Sequence, residues 1–342
     1  MSLSPRKSII LEAVVECYIK TGEQVGSKTL LDILEISVSS ATIRNELASL
    51  SENGFLIQPH TSAGRIPLPK GYRYYIDKIM ESYLLSSVEK DFVLNRLYKV
   101  FDDPERILKE ASFILSGVTG LCSVCTTPTG ENARIKRIHL LQTGRQTAMA
   151  VLITSTGMIK NRLFRCDYVL TAEVVTVFER LVNKKFCGQR VEDITQAFIQ
   201  SSAVEFGELA MLMPNVLMAI MESAKEASML NATISGKTNV LFLEDFNLND
   251  IRLINKFLSD NSQIQNLLLS NDYDTTVFVG RDSNRGELEN CSVITKRYNI
   301  AGEPAGAIAL LGPVRMDYKK NIALIEFMCD TVGTLISELL EI

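Results

Sequence analysis

Two side chains on one predicted helix carry hydrogen-bonding groups that can read bases. Arg44 can make a bidentate contact to guanine O6 and N7, and Asn45 can do the same with adenine N6 and N7. The small or hydroxyl-bearing residues Ser40, Ala41 and Thr42 lie at the start of that helix, where free N–H groups favour a nearby phosphate. The pattern indicates a helix that enters the major groove of DNA. It fits a solvated amphipathic helix with ordinary surface residues equally well.

The helix that must position these groups has an apolar face on its other side. Ile43, Leu47 and Leu50 recur at helical spacing. Ser39 can begin the helix and Asn53-Gly54 can end it. This stripe predicts burial of one face, which turns the hydrogen-bonding face outward.

Two further helices are predicted before it. The first begins at Ser4, which can act as the cap, and at Pro5, which loses no needed N–H at the first helical position. Gly22 can end this helix in a left-handed conformation. Ser27 can cap a second, short helix that carries Leu30. Three short helices, the last two joined by a tight turn, predict a helix-turn-helix.

A hairpin is predicted directly after the third helix. Residues 55–57 have the composition of a strand, residues 58–65 are rich in turn formers, and Ile66-Pro67 can start a return strand. A hairpin in this position is a wing. Its predicted tip carries His60, Thr61, Ser62 and Arg65. Arg65 suits a phosphate or a narrow minor groove.

The predicted DNA contacts fall into two groups. Contacts to bases in the major groove are expected from Ser40, Thr42, Arg44 and Asn45. Contacts that are mainly to phosphate are expected from Lys28, His60, Thr61 and Arg65, and Ser39 completes the set of predicted DNA-binding residues.

Two other motifs suggest chemistry on first inspection. Gly236-Lys237-Thr238 resembles the end of a phosphate-binding loop, but the first glycine of the pattern Gly-x4-Gly-Lys-Thr is replaced by Asn231 and no clear strand precedes the run. Cys122 and Cys125 form a lone Cys-x-x-Cys in a segment with strand character. A zinc site needs two more ligands and a redox pair needs a helix N-terminus, so we interpret both cysteines as structural.

Catalysis is not indicated. The chain has two histidines, and no Ser/His/Asp, Cys/His or paired-carboxylate arrangement can be singled out. We therefore predict no catalytic residues, no cofactor and no metal.

Composition favours a multidomain globular chain. Its 342 residues exceed one ordinary core, and 46% of them are hydrophobic. The formal net charge is −4, yet residues 1–80 carry nine Lys or Arg against eight Asp or Glu. Neither a membrane-spanning stretch nor a secretory signal is recognised, and seven irregularly spaced cysteines fit a reducing compartment. We expect a cytoplasmic protein with no membrane partner.

Several runs resemble signatures of the HrcA family of heat-inducible repressors. In the N-terminal part these are Val25-Gly-Ser-Lys-Thr-Leu30, Val38-Ser-Ser-Ala-Thr-Ile-Arg-Asn-Glu-Leu47, Gln58-Pro-His-Thr-Ser-Ala-Gly-Arg-Ile-Pro67 and Lys70-Gly-Tyr-Arg-Tyr-Tyr-Ile76. The run Ala305-Gly-Ala-Ile-Ala-Leu-Leu-Gly-Pro-Val-Arg-Met-Asp-Tyr318 is similar to the same family. The middle of the chain matches loosely.

The resemblance implies an α+β multidomain fold with an N-terminal winged helix-turn-helix and a GAF-like domain that carries an inserted dimerisation domain of α/β type. It also implies a homodimer that represses chaperone operons through the inverted-repeat operator called CIRCE. In the family, activity is maintained by the GroEL-type chaperonin, which is therefore an expected partner beside double-stranded DNA.

Periodicity suggests where these parts lie. Residues 121–166 alternate between polar and apolar side chains, which predicts antiparallel strands, and residues 172–230 have helical periodicity. Short strands are predicted at 239–244, 275–280, 291–298 and 305–311. A closing helix is predicted over about 318–340. We expect a winged-helix domain at 1–75, a linker helix at 76–115, a GAF-like domain at 116–160 and 251–342, and the insert at 161–250. The tyrosines at 72–75 are interpreted as core residues.

Two other functions remain open from the sequence. The GAF-like part can belong to a winged-helix regulator that responds to a small ligand, although no polar ligand site is marked in residues 121–311. An ATPase with a DNA-binding head would have to use Gly236-Lys237-Thr238.

Overall fold

The structure is a computed structural model that describes residues 3–34, 39–60, 63–128, 133–229, 231–269 and 274–341. Over these residues the chain is α+β, as predicted, with three separate antiparallel sheets of two, five and three strands. No helix within the described residues is both long and apolar enough to span a bilayer.

Three helices and a short hairpin form the N-terminal unit. They are α1 (Pro5–Thr21), α2 (Ser27–Ile33), α3 (Ser40–Glu52), β1 (Leu56–Ile57) and β2 (Ile66–Pro67). Ser4 caps α1 by accepting from the Lys7 amide at 3.4 Å, and Gly22 ends it with φ of 70°. The predicted cap of α2 is wrong by one position: Gly26 is the cap, and Ser27 is the first helical residue.

The predicted linker helix at 76–115 is wrong. Helix α4 (Pro69–Tyr74) continues as one π turn to Ile79, and residues 80–86 are not helical. Two new helices then follow, α5 (Ser87–Tyr98) and α6 (Pro104–Thr119). Ser86 and Glu89 form a capping box that starts α5, and Asp103 caps α6. These caps give each helix its own beginning, which the apolar periodicity alone did not reveal.

A five-stranded sheet forms the central body, in the order β7-β3-β10-β9-β8. Its strands are β3 (Cys122–Thr126), β7 (Ala232–Ser235), β8 (Thr276–Val279), β9 (Cys291–Ile300) and β10 (Glu303–Pro313). Strands β8, β9 and β10 confirm three of the predicted strands.

Each face of the central sheet is covered by helices. Ile308 and Leu310 of β10 pack with α6 and α12 (Tyr318–Leu339), which confirms the closing helix. Ala309 and Leu311 alternate to the other face and pack with α10 (Leu248–Leu258) and α11 (Asn261–Leu268), which the sequence analysis did not predict. The strand predicted at 239–244 is instead a 3₁₀ turn, Asn239–Phe242.

The remaining elements form an insert between β3 and β7. They are β4 (Ile135–Gln142), β5 (Thr147–Thr154), β6 (Ile159–Arg165), α7 (Ala172–Phe186), α8 (Gln196–Phe206) and α9 (Pro214–Ser228). The sheet order is β4-β5-β6, and these elements share a hydrophobic core of their own. The helical stops predicted near Cys187-Gly188 and Pro214 are confirmed.

The predicted limits of the insert, 161 and 250, are therefore wrong. A boundary at 160 would separate β5 from β6, although Met149 and Leu163 are partners in their ladder. Strand β7 pairs with β3, through Cys125 and Thr233 among others, and so belongs to the central body. The alternating pattern of residues 121–166 identified strands correctly but did not reveal that they belong to two sheets.

Candidate nucleic-acid interface

Helix α3 presents one buried and one exposed face. Ile43, Leu47 and Leu50 are buried in the N-terminal unit, as predicted. Arg44 and Asn45 are exposed. The apolar stripe therefore fixes the rotation of the helix and turns toward solvent the two side chains that the sequence predicts to contact bases.

The start of α3 is held by its predicted cap. Ser39 Oγ accepts from the Thr42 amide at 3.2 Å, and the two hydroxyl groups lie 3.0 Å apart. Ser39 is exposed and Thr42 is half-buried. Both side chains thus stabilise the helix end at which a DNA phosphate or base edge would approach.

Ser27 connects α2 to the exposed face of α3. Its Oγ lies 3.3 Å from Ser40 Oγ and accepts from Arg44 Nε at 3.3 Å. Because Arg44 uses Nε for this bond, a bidentate contact to guanine would use its two Nη groups. From the sequence, Ser27 is predicted only as a helix cap, and its place in the run 25–30 was the one signal of a further role.

The base of the hairpin packs on the segment between α1 and α2. The amides of Val25 and Arg65 each donate to the carbonyl of the other at 2.9 Å. A Cβ on Gly64 would lie 2.8 Å from the backbone of Val25, so glycine permits this close approach. Gly64 is a second residue whose role the sequence analysis missed.

Arg65 does not lie at the tip of the hairpin, which corrects that prediction. It precedes β2, and its Nε donates to Ser51 Oγ of α3 at 3.0 Å. His60 is exposed in the turn, where its carbonyl accepts from the Ala63 amide at 2.9 Å. Thr61 and Ser62 lie outside the described residues.

These elements surround a cleft of about 480 Å³. Lys28, Arg44 and Arg65 all line it, together with Ser27 and Gln58. The fold thus brings together three basic side chains that are far apart in sequence. The other predicted residues, Ser39, Ser40, Thr42, Asn45 and His60, are not among the lining residues of the cleft.

Among the described residues, the basic side chains that line this cleft form no ion pair with an acidic side chain. Glu46 of α3 turns toward α1, where Arg6 lies at 3.9 Å and Lys7 at 4.0 Å. Across the described part of the chain, no carboxylate lies within 4.0 Å of a basic nitrogen of Lys28, Arg44 or Arg65. The arrangement can attract and hold a polyanion.

The phosphate-loop motif forms a different structure. Strand β7 ends directly before Gly236, so the expectation that no strand precedes the motif is wrong. However, the motif leads into a 3₁₀ turn, and Asn239 Nδ2 donates to Ser116 Oγ at 3.1 Å and to the Leu121 carbonyl at 3.2 Å. A Cβ on Gly236 would lie 2.6 Å from that carbonyl, so this glycine serves tight packing against α6 and β3.

The Cys-x-x-Cys pair is part of the sheet core. Cys122 and Cys125 are buried in β3, and burial raises the pKa of each thiol to about 12. A thiol of such high pKa is protonated at neutral pH, which opposes metal ligation and nucleophilic chemistry. Among the described residues, no group of three or more His, Cys, Asp or Glu side chains could hold a metal ion.

Comparisons with known proteins identify the family. Residues 105–322 match the family model described as "HrcA protein C terminal domain". The "Heat-inducible transcription repressor HrcA" of Clostridium tetani (strain Massachusetts / E88) is 33% identical over 347 residues, which cover 99% of this chain and 97% of that protein. This chain belongs to the HrcA family.

Other HrcA proteins are similar over the same extent. The "Heat-inducible transcription repressor HrcA" of Thermoanaerobacter sp. (strain X514) is 33% identical over 342 residues, which cover 99% of this chain and 98% of that protein. A crystal structure described as "a hypothetical protein at 2.2 A resolution" aligns with a TM-score of 0.67 and 25% identity, and it covers 99% of this chain and 100% of the other. The HrcA family is thus one of heat-inducible transcription repressors, and the fold described above has a solved counterpart.

Proposed function

We propose that this HrcA protein represses transcription by binding an inverted-repeat operator of the CIRCE type through its N-terminal unit. In this proposal the unit is a winged helix-turn-helix, with α3 in the major groove and the β1–β2 hairpin as the wing. The observation that carries the proposal is the cleft lined by Lys28, Arg44 and Arg65 beside the exposed face of α3. Positive charge supplies affinity for the phosphate backbone, and the exposed Arg44 and Asn45 supply base recognition.

The individual contacts are assigned from side-chain chemistry and position. Base contacts are proposed for Ser40, Thr42, Arg44 and Asn45. Phosphate contacts are proposed for Lys28, His60, Thr61 and Arg65, with Ser39 at the helix start. Since Arg65 lies at the base of the hairpin, we favour a phosphate contact over insertion into a minor groove.

We further propose that the protein acts as a homodimer and that the insert, residues 133–228, is the dimerisation domain. One winged helix has few base contacts, and two on one dimer add their binding free energies on a two-fold symmetric operator. Exposed apolar side chains on the insert, including Ile159 and Leu163 of β6, support an interface there. Dependence on a GroEL-type chaperonin is proposed from the family resemblance, as is the GAF-like nature of the central body.

The test is fluorescence anisotropy of the full chain on a labelled CIRCE duplex and on a scrambled duplex, over a salt series. We expect tighter binding to CIRCE and a steep loss of affinity with salt on both duplexes. Equal affinity for the two duplexes, with and without added GroEL-type chaperonin, would refute sequence-specific repression.

Arg65→Ala is expected to weaken binding to both duplexes similarly and to lower the salt slope by about 1.

A second candidate function is regulation by a small ligand in the central body. An open groove of about 780 Å³ lies between the β9–β10 turn and α12, lined by Lys296, Asn299 and Asp330 among others. No polar site is predicted here from the sequence. A thermal-shift screen with metabolites tests this candidate, and a compound that raises the melting temperature and changes CIRCE affinity would support it.

A further inference from the structure

The loop between β10 and α12 contacts the N-terminal unit through one arginine. Arg315 donates from Nε to Asp245 Oδ1 and from Nη2 to Asp245 Oδ2, both at 3.0 Å. Both side chains are about three-quarters shielded from solvent. A two-point pair of this kind fixes the plane of the guanidinium as well as its position.

The third nitrogen of the same guanidinium reaches the end of α1. Arg315 Nη1 lies 3.4 Å from the carbonyl of Ile19, to which it donates. A Cβ on Gly22 would lie 3.1 Å from Nη1, so the guanidinium covers the point where α1 ends. The positive charge is also favourable there, since the last carbonyl groups of a helix carry partial negative charge.

The end of α1 is directly connected to the hairpin. Three residues after Gly22, Val25 exchanges two backbone hydrogen bonds with Arg65 and lies against Gly64. Val25, Gly64 and Arg65 all line the basic cleft. A displacement of the end of α1 would therefore shift one wall of the cleft.

Two other polar contacts join the body to α1 and to α4, the helix that follows the N-terminal unit. Arg73 of α4 pairs with Asp282 and with the carbonyl of Val277. Lys319 pairs with Glu16, in the middle part of α1. These contacts hold the unit in place but do not touch the segment that leads to the hairpin.

We propose that Arg315, held by Asp245, is a positioning residue for the DNA-binding face. It fixes the end of α1 and, through residues 23–26, the base of the hairpin and the width of the cleft. The body thereby sets the geometry in which DNA is read. This inference rests on the proposed function, because it assigns a role in operator recognition to a residue that would not touch DNA.

Hydrogen exchange tests the mechanical part without DNA. Arg315→Gln and Asp245→Asn are expected to increase exchange at residues 23–26 and 63–65 by roughly 3- to 30-fold, the range of couplings carried by such networks. Residues 43–50 of α3 are the internal reference for general loosening and should change little. Asp282→Asn is the matched control, since it weakens an Arg–Asp pair that joins the body to α4 and does not touch the end of α1. Equal exchange in wild type and both variants at 23–26 would overturn the proposal.

Operator binding tests the functional part. Arg315→Gln and Asp245→Asn should lower affinity for the CIRCE duplex by roughly 3- to 30-fold and affinity for the scrambled duplex much less, while Asp282→Asn preserves the ratio between duplexes. Arg315→Lys, which keeps the charge but not the two-point pair, should restore the affinity only in part. A melting curve for each variant verifies that the binding assay is performed on folded protein.

A double-mutant cycle with Gly64→Ala separates positioning from general destabilisation. The added Cβ already forces the hairpin away from Val25. Arg315→Gln should therefore weaken CIRCE binding less in the Gly64→Ala background than it does in the wild-type background. Additive losses would mean that Arg315 acts by another route and would overturn the proposal. Wild-type protein that does not prefer CIRCE over the scrambled duplex, with or without added chaperonin, would refute the proposed function itself. Normal preference with insensitive variants would refute this inference alone.

Discussion

At the scale of single residues, the position of one carboxylate leaves the exposed face of α3 basic. Glu46 follows Arg44 by two positions on α3 but lies near Arg6 and Lys7 of α1 instead. Since residues two apart on a helix point in different directions, Arg44 remains on the face that carries Asn45. The local charge at the cleft is therefore positive, although the chain as a whole carries a formal charge of −4.

Arg44→Ala tests base recognition. We expect a loss of about 1–3 kcal/mol at the base pair assigned to Arg44, with relaxed preference at that position, because in the proposed complex the guanidinium donates to base edges. Anisotropy titrations on CIRCE duplexes with single base changes measure this. Arg252→Ala is the control, since Arg252 is exposed on α10 of the body and should leave the preference intact. Unchanged base preference in Arg44→Ala would show that the residue does not read a base.

At the scale of elements, side chains of α7 protect an edge of the sheet in the insert. Asn183 accepts from the Ile138 amide at 3.0 Å and donates to the Ile138 carbonyl at 2.6 Å. Glu179 Oε2 accepts from the Leu140 amide at 3.0 Å. Strand β4 is an edge strand, and these bonds occupy backbone groups that would otherwise be open to another strand.

Asn183→Leu is expected to expose that edge. The lost hydrogen bonds leave the polar groups of Ile138 unsatisfied, which lowers the free energy of unfolding by about 1–3 kcal/mol and favours association between edges. Thermal unfolding and dynamic light scattering measure the two effects. Asn255→Leu is the matched control, because Asn255 is exposed on α10 and donates to Ile251 of its own helix. Equal behaviour of the two variants would contradict a protective role.

The capping box of α5 makes that helix sensitive to acid. Hydrogen bonds from Ser86 and Lys320 lower the pKa of Glu89 from 4.5 to about 2. A lowered pKa in the folded state means that ionised Glu89 stabilises the fold above pH 4.5 and that this contribution is lost as the pH falls from 4.5 toward 2.

Glu89→Gln should therefore lower the melting temperature at pH 7, and its difference from the wild type should shrink as the pH is lowered below 4.5. Calorimetry at several pH values measures this difference. Asp91→Asn, which removes an exposed carboxylate from the same helix, is the control for the loss of a surface charge. A difference between Glu89→Gln and the wild type that is constant with pH would rule out the carboxylate as its source.

At the scale of the whole molecule, the hydrophobic cores do not follow the order of the parts along the chain. The N-terminal unit shares one continuous core with α5, α6, α12 and one face of the central sheet. Tyr72 of α4 is buried in this core, with its ring 5.9 Å from that of Tyr318. The insert has a separate core. We therefore expect the N-terminal unit to lose its structure together with the body, and the insert to unfold on its own.

Tyr72 tests this coupling. Tyr72→Ala should destabilise the shared core by about 3–5 kcal/mol, because a large buried ring is lost. Hydrogen exchange should then increase in both α3 and α12 but not in α9 of the insert. Tyr72→Phe is the matched control and should be neutral or stabilising, since within the described residues the hydroxyl group has no hydrogen-bond partner. Loosening of α9 to the same extent would disprove separate cores.

Local features of the sequence predicted local structure well. The cap at Ser39, the stripe Ile43, Leu47 and Leu50, and the left-handed end at Gly22 each depend on residues within a few positions, and each is present. The interpretation of the tyrosines as core residues is confirmed for Tyr72. The division into two helices at 87–119 was missed because the capping signals lie within a continuous apolar pattern.

The sequence predicted less accurately the positions of residues whose partners are distant in the chain. Arg65 was assigned to the hairpin tip, but its position depends on pairing with Val25 and on a bond to Ser51. The insert was assigned the wrong ends because strand periodicity does not state which strands pair.

The sequence by itself determined the helices of the N-terminal unit and the family, and it supplied the prediction of DNA-contacting residues, because each is encoded in short runs of side chains. Only the tertiary structure decided that β3 pairs with β7 across the whole insert, that Lys28, Arg44 and Arg65 share one cleft, and that Arg315 reaches the end of α1. The physical reason is that these contacts join residues far apart in the chain. Their free energies depend on how complete elements pack, and no local pattern of side chains carries that information.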